Sequence, residues 1–398
     1  MFSRLAYRTL SFRVLGARAL ALGALALGVP PLAACSSGGT EELFEPGPYP
    51  VGFRETSLTY LPVASSEERT LPVQLWYPAE GGEPATYRVA GVVDVPSDAL
   101  DAPPIAPGGA FPVAVYSHGS GGIGLLAYPF AERLASHGWV VAAVDHVGNT
   151  ALEVIGGSGQ PFARNALNRP GDVTALIDWI ESDAVAGLAA SADTTRVLAF
   201  GHSFGAYTTL AAGGADLSVD ALRVGCEEAP EVPDCAVLAE PDVEAAYRAG
   251  FGDPRVAAIA PQAPALVTSF RAGELAALEV PTMLMTGRLD QTTTQEEQAV
   301  PAWAGLDGQD DLWVEMPQGG HLSFISVCYD LDAGELSVFQ PGAFDDGCGD
   351  GFIDARLAVD TLAAYLLAFG RLHIEGDESM RSILRGPPLE DGFVVTAR

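Results

Sequence analysis

Ala199-Phe200-Gly201-His202-Ser203-Phe204-Gly205 is the stretch at which this chain of 398 residues turns from one kind of structure into another. Before it, Arg196 to Phe200 is a short apolar run of strand-forming residues. After it, Tyr207 to Ala212 suits a helix that stops at Gly213-Gly214. At the junction stands Gly-x-Ser-x-Gly, Gly201 to Gly205. A strand that reverses into a helix within so few residues holds its serine in a strained conformation. The flanking glycines keep side chains out of the way while the hydroxyl stands clear. Ser203 is therefore the candidate nucleophile, because the context around the pattern is a strand on one side and a helix on the other.

Upstream, Phe53 to Leu61 and Leu71 to Tyr77 alternate apolar residues and predict an opening antiparallel pair. Gly81 to Gly109, full of Pro and Gly, reads as loop. Phe111 to Tyr116 and Trp139 to Val144 are apolar on consecutive positions, as expected of strands buried on both faces, and a helix over Leu125 to His137 separates them. Val173, Leu176, Ile177 and Ile180 mark an amphipathic helix before the strand that carries Ser203. Downstream, 216–254 breaks the rhythm with acidic and proline-rich sequence and predicts a cap-like insertion. Regularity resumes with strands at Val256 to Ala260, Thr282 to Thr286 and Leu312 to Met316, a helix from Glu296 to Leu306, and a closing helix lined by Ile353, Leu357, Leu362, Leu366 and Phe369. Alternating strands and helices imply an α/β fold, a mostly parallel central sheet with helices on both faces. The main domain is expected over 51–375, with 376–398 as a weakly patterned tail.

A serine hydroxyl is a poor nucleophile at neutral pH and needs a base with a carboxylate behind it. In chains built this way the order is Ser, acid, His. His321 and His373 follow the elbow, and His321, in Gln318-Gly319-Gly320-His321, lies just past the last strand, where a loop can reach the serine. Asp290 follows the strand Met283 to Gly287 and would fix the imidazole's tautomer, although helix capping or turn formation is another use for an aspartate there. The developing oxyanion needs two backbone donors. Phe204, after the nucleophile, supplies one, and the loop His118-Gly119-Ser120-Gly121 the other, through Ser120 or alternatively Gly119. His118 is expected to shape that loop.

Tyr116-Ser117-His118-Gly119, Val144-Asp145-His146 to Asn149-Thr150, Arg169-Pro170-Gly171-Asp172-Val173 and Gly201 to Gly205, taken together, resemble the α/β-hydrolase family over about Val51 to Arg371. Within it they are similar to bacterial predicted dienelactone hydrolases related to platelet-activating-factor acetylhydrolases. The resemblance implies the α/β-hydrolase fold and ester hydrolysis on Ser203 with Asp290 and His321, without a cofactor. It departs from the family in two places. True dienelactone hydrolases use cysteine where Ser203 stands. The mammalian acetylhydrolases take their acid where this chain has Ile259-Ala260-Pro261-Gln262. Short-acyl carboxylic esters are the expected substrates, with a phospholipid acetyl ester or a polyester as alternatives, and a silent hydrolase serving as a surface binding module as the rival from another class.

The formal charge is −30, and all 21 basic residues are arginines, so lysine Schiff-base chemistry and a P-loop lysine are excluded. So acidic a chain repels phosphate backbones, which argues against nucleic-acid partners. Arg4, Arg8, Arg13 and Arg18 precede the apolar run Ala19 to Val29, an export signal over 1–34. Leu32-Ala33-Ala34-Cys35 resembles a bacterial lipobox, which implies acylation of Cys35, a membrane partner through that lipid, and a linker over 35–50. Four cysteines remain, and in an oxidising compartment Cys226 with Cys235 and Cys328 with Cys348 are the expected pairs, each closing a short polar segment. Asp346 to Asp354 has the opening of a calcium loop but cysteine at the third ligand position and no closing glutamate, so no metal is assigned.

Overall fold

Two short apolar runs form the middle of the molecule. Val140–Val144 is buried at every residue and Phe111–Ser117 at all but one, so both strands must be covered on both faces. In the computed structural model, which describes residues 38–398 apart from 90, 92, 272, 340 and 341, they belong to an 11-stranded sheet. The expected signal segment 1–34 and Cys35 lie outside the described residues.

The strands, in chain order, are β1 (Val51–Tyr60), β2 (Arg69–Pro78), β3 (Pro84–Val89), β4 (Val93–Asp101), β5 (Phe111–Ser117), β6 (Val140–Val144), β7 (Ala192–His202), β8 (Val256–Gln262), β9 (Met283–Gly287), β10 (Leu312–Met316) and β11 (Val394–Ala397). Their spatial order is β11-β10-β9-β8-β7-β5-β6-β2-β1-β4-β3. From β6 to β10 all neighbours are parallel, and β2 joins β6 antiparallel. The chain steps from β5 to β6 on one side, then returns to place β7 on the other side of β5. At such a reversal the connections diverge and leave a crevice beyond the carboxyl ends of the strands. Ser203 follows β7 and the 118–122 loop follows β5, so both open onto that crevice.

Side chains alternate between two cores. Along β7, Val197 and Ala199 face the helices Phe162–Glu181 and Phe204–Ala212, while Leu198 and Phe200 face Tyr128–Ser136 and Ala355–Gly370. A fully buried phenylalanine such as Phe200 contributes about 1.5–3 kcal/mol relative to its exposed state.

Three segments depart from the expectations. Residues 81–109 are not plain loop but contain the β3–β4 hairpin, whose Tyr87, Val89 and Val95 are buried and whose Tyr87 hydroxyl donates to Glu132. Its alternating burial was hidden by the Pro and Gly residues at its ends. The expected linker is docked from residue 38 onward: Gly38–Phe44 is a helix with Leu43 fully buried, and Tyr49 packs edge-on against Phe111. The 376–398 tail closes the sheet, with β11 antiparallel to β10. Residues 38–398 thus form one compact unit.

The insertion 216–254 contains three short helices, Val219–Glu228, Pro233–Leu238 and Pro241–Ala249. The second and third pack along the Phe162–Glu181 helix, with the Asp234 carboxylate accepting from the Ala163 amide and the Tyr247 hydroxyl donating to the Ala163 carbonyl, and the first packs on these two. Cys226 and Cys235 are bonded across the first two of these helices.

Candidate active site

Ser203 sits at φ 58° and ψ −117°, a conformation that costs a non-glycine residue about 1–3 kcal/mol. Neighbours compel it. A Cβ on Gly205 would lie 1.8 Å from the Ser117 carbonyl oxygen, and one on Gly201 would lie 2.6 Å from the Gly205 carbonyl oxygen. Only a glycine-flanked turn lets the Phe204–Ala212 helix leave β7 so close to β5. The Ser203 amide donates to the Gln262 carbonyl at 2.8 Å, and the residue stays 9% exposed.

His321 and Asp290 meet the serine here. His321 Nε2 is 3.0 Å from Ser203 Oγ, and its Nδ1 is 2.8 Å from Asp290 Oδ2. Since a carboxylate accepts at Nδ1, the proton belongs on that nitrogen, and Nε2 is left as the acceptor for the serine hydroxyl. Asp290 is fixed in turn by the amides of Thr292 and Thr293, at 2.9 and 2.6 Å, and by the Thr293 hydroxyl at 2.8 Å. It thus forms the turn that the sequence allowed as its alternative use while also holding the imidazole.

Two residues that sequence reasoning left without this role hold the His321 backbone. Asp346 accepts from the His321 amide, the Gln291 amide and the Thr292 hydroxyl, which ties the loops after β9 and β10 together. The opening aspartate of the calcium-like motif is therefore engaged by the protein, and Asp354 at its end caps the Ala355–Gly370 helix. No cluster of three metal-ligating side chains occurs among the described residues. The bond between Cys328 and Cys348 closes the segment that carries Asp346. His202, the variable residue before the serine, is the second. Its Nε2 lies 2.8 Å from the His321 carbonyl, and burial, followed by the proximity of His321, pushes its pKa down to about 3. A neutral ring donating from Nε2 satisfies that contact.

The loop after β5 comes alongside the serine. A Cβ on Gly119 would lie 3.3 Å from Ser203 Cβ. Among the described residues the amides of Gly119, Ser120 and Phe204 have no backbone or side-chain acceptor, whereas those of Gly121 and Gly122 are taken by Asn149 and Gly119. The Ser120 hydroxyl accepts from Asn149 Nδ2 at 3.0 Å, which fixes its side chain. His118 shapes the loop: Nδ1 donates to the Gly119 carbonyl at 2.7 Å and Nε2 accepts from the His146 amide at 2.9 Å.

Behind this loop is a buried polar network. Asp172 accepts both Arg69 Nε and Nη2, at 2.7 and 2.9 Å, as well as the Tyr60 hydroxyl and His146 Nδ1. His146 Nε2 accepts from the Ser117 hydroxyl at 2.8 Å, and burial pushes its pKa down to about 4. Arg169 lies one helical turn before Asp172. The signal for these residues was present, since Arg169 and Asp172 stand on the buried side of an amphipathic helix, yet nothing local says what they touch. A separate cavity of about 690 Å³, walled by Tyr60, Leu167, Trp179 and Phe251, lies on the outer side of this helix and includes none of Ser203, Asp290 and His321.

The family described as platelet-activating factor acetylhydrolase, isoform II, matches residues 85–155, the region of the β5 loop. A ferulic acid esterase from Streptomyces cinnamoneus superposes with a TM-score of 0.61 over 88% of this chain and 96% of that chain, at 22% identity. The chain has the α/β-hydrolase fold. No curated protein matches it in sequence. The rim of the crevice is apolar on the β6 side. Leu152, Val154 and Ile155 are 62%, 49% and 54% exposed, Val154 stands 3.8 Å from where a Cβ on Gly121 would be, and Phe162 stacks on Phe204 with ring centroids 5.1 Å apart.

Proposed function

We propose that the protein hydrolyses carboxylic esters through an acyl-enzyme on Ser203. The observation that carries this is the chain of contacts from Ser203 Oγ to His321 Nε2 at 3.0 Å and from His321 Nδ1 to Asp290 at 2.8 Å. His321 takes the serine proton as Oγ attacks the ester carbonyl, and Asp290 stabilises the imidazolium that results. The tetrahedral oxyanion is bound by the amides of Phe204 and Ser120. Collapse expels the alcohol, protonated from His321 Nε2. Water, deprotonated by the same nitrogen, then releases the acid and restores the hydroxyl.

The exposed Leu152, Val154, Ile155 and Phe162 favour apolar acyl or alcohol groups. The family and the fold neighbour carry names of enzymes acting on different esters, so the shared chemistry is the carboxylic ester itself. The segment Ile259-Ala260-Pro261-Gln262, which the resemblance sets where mammalian acetylhydrolases carry their acid, has no carboxylate, which favours a simple ester over a phospholipid. Two disulfides suit an oxidising compartment, in keeping with export and anchoring through Cys35.

A fluorophosphonate probe and a series of p-nitrophenyl esters of rising acyl length test this. The wild type should label and hydrolyse, best with short acyl chains, and Ser203→Ala should do neither. Labelling of Ser203→Ala at the wild-type level would remove Ser203 from the mechanism. Release from the membrane fraction by Cys35→Ser would support the anchor, and retention of that variant would count against it.

A further inference from the structure

Arg169 is fully buried, and among the described residues its guanidinium forms no salt bridge. Its hydrogen-bond acceptors are all neutral. Nη1 donates to the His118 carbonyl at 2.6 Å and to Ser117 Oγ at 3.4 Å, while Nη2 donates to the Gly119 carbonyl at 3.2 Å and to Asn149 Oδ1 at 2.6 Å. Its Nε is buried and has no partner among the described residues. The nearby carboxylate, Asp172, is committed to Arg69, His146 and Tyr60. Burying a charge with no carboxylate in direct contact, and leaving one N–H unmet, are both costly, so the contacts that the cation does make need a purpose other than stability.

Those contacts converge on the two halves of the oxyanion site. In a trans peptide the carbonyl and the next residue's N–H point in opposite directions. The guanidinium draws the carbonyls of His118 and Gly119 toward itself, which turns the amides of Gly119 and Ser120 the other way. The Gly119 carbonyl is held by three donors, Arg169 Nη2, His118 Nδ1 at 2.7 Å and the Gly122 amide at 3.1 Å, so the direction of the Ser120 N–H is tightly set. The hydroxyl of Ser120 is steadied by Asn149, which the same guanidinium grips. On its other side the guanidinium carbon lies 4.4 Å from the centre of the Phe204 ring, a cation–π contact with the residue that supplies the other amide.

We propose that Arg169 is a positioning residue for the oxyanion site, acting through the 118–120 peptides and Phe204 together. It does so in two ways. It fixes donors before charge develops, and a cation on the carbonyl end of a peptide polarises the N–H at the other end. The proposal rests on the reading of Ser203 as the nucleophile of an esterase.

The test compares Arg169→Met and Arg169→Lys with wild type in the full chain, using steady-state kinetics on a short p-nitrophenyl ester and a trifluoromethyl ketone whose adduct on Ser203 places an oxyanion in the site. The 19F resonance of that adduct, followed against pH, reports how strongly the site favours the anion. Arg169→Met should lower kcat roughly 100-fold with KM within about threefold, because the loss falls on the transition state. Its adduct should titrate about one pH unit or more higher than the wild-type adduct. Arg169→Lys keeps a charge but cannot bridge two carbonyls and Asn149, and should lose roughly tenfold. If Arg169→Met does not fold, Arg169→Lys carries the decision. Tyr60→Phe, which removes a hydrogen bond to Asp172 at the far end of the network, should lower the melting temperature and leave both readouts unmoved.

Wild-type kcat and wild-type adduct titration in the folded Arg169 variants would overturn the proposal and leave the esterase reading intact. A comparable shift in Tyr60→Phe would overturn it too, by showing general loosening of the network. A wild-type protein that neither hydrolyses the ester nor forms the adduct would remove the esterase reading and this inference with it.

Discussion

Replacing His202 with glutamine should make the protein less sensitive to acid by an amount that can be worked out in advance. In the folded chain His202 has its pKa pushed to about 3, against 6.5 ordinarily, because it is fully buried beside His321. The unfolded chain takes up a proton near 6.5, and the folded chain refuses it until pH is near 3. Wild-type stability therefore falls as pH drops through that window, by about 1.4 kcal/mol for each pH unit below 6.5. Between pH 7 and pH 5 this single ring accounts for a loss of about 2 kcal/mol.

Glutamine titrates nowhere in this range, and its amide nitrogen can take the place of Nε2 in donating to the His321 carbonyl. Other buried groups contribute pH dependence of their own. His146 is pushed to about 4, His118 falls well below its ordinary value, and Asp145 is raised to about 6, each chiefly by burial. These are common to both proteins and cancel in the comparison. Urea unfolding of wild type and His202→Gln at pH 7 and pH 5, followed by tryptophan fluorescence and circular dichroism, gives the difference of differences. The loss on acidification should be about 2 kcal/mol smaller in the variant. Equal losses in the two proteins would refute the reasoning, since they would mean that His202 titrates alike in the folded and unfolded chains.

Asp290→Asn should lower kcat roughly 10³–10⁴-fold in ester hydrolysis while circular dichroism stays unchanged, because an amide no longer stabilises the imidazolium or its tautomer. Asp346→Asn should cost about tenfold in kcat, read against the same esters, since it weakens the hold on the His321 amide without touching the serine. Paired serine replacements at Cys226 and Cys235, or at Cys328 and Cys348, should each lower unfolding stability by about 3 kcal/mol on loop-closure grounds. Only the second pair should also lower kcat, because it alone clasps the segment carrying Asp346; equal kinetics in the two double variants would count against that link.

Much of the site was legible because its clues are local. Gly201 to Gly205 announces a turn between a strand and a helix, and Asp290 and His321 each stand just after a strand whose apolar run is visible. Parallel strands deliver their carboxyl ends to one edge, so residues 87 and 118 positions away from Ser203 arrive beside it. The β3–β4 hairpin, the β11 strand and the docked Gly38–Phe44 helix were missed for the opposite reason: Pro, Gly or short length masks their patterns, and neighbours far along the chain stabilise them.

By itself, the sequence determined the layering, the candidate nucleophile's turn and the order of its partners, since hydrophobic period and turn chemistry act between residues a few positions apart. Only the tertiary structure decided what the buried polar residues do. Arg169 meets carbonyls 50 and 51 residues earlier in the chain, and His202 meets one 119 residues later. Such meetings depend on how one helix lies across two strands, and a guanidinium in a core satisfies whichever oxygens the packing brings within about 3 Å.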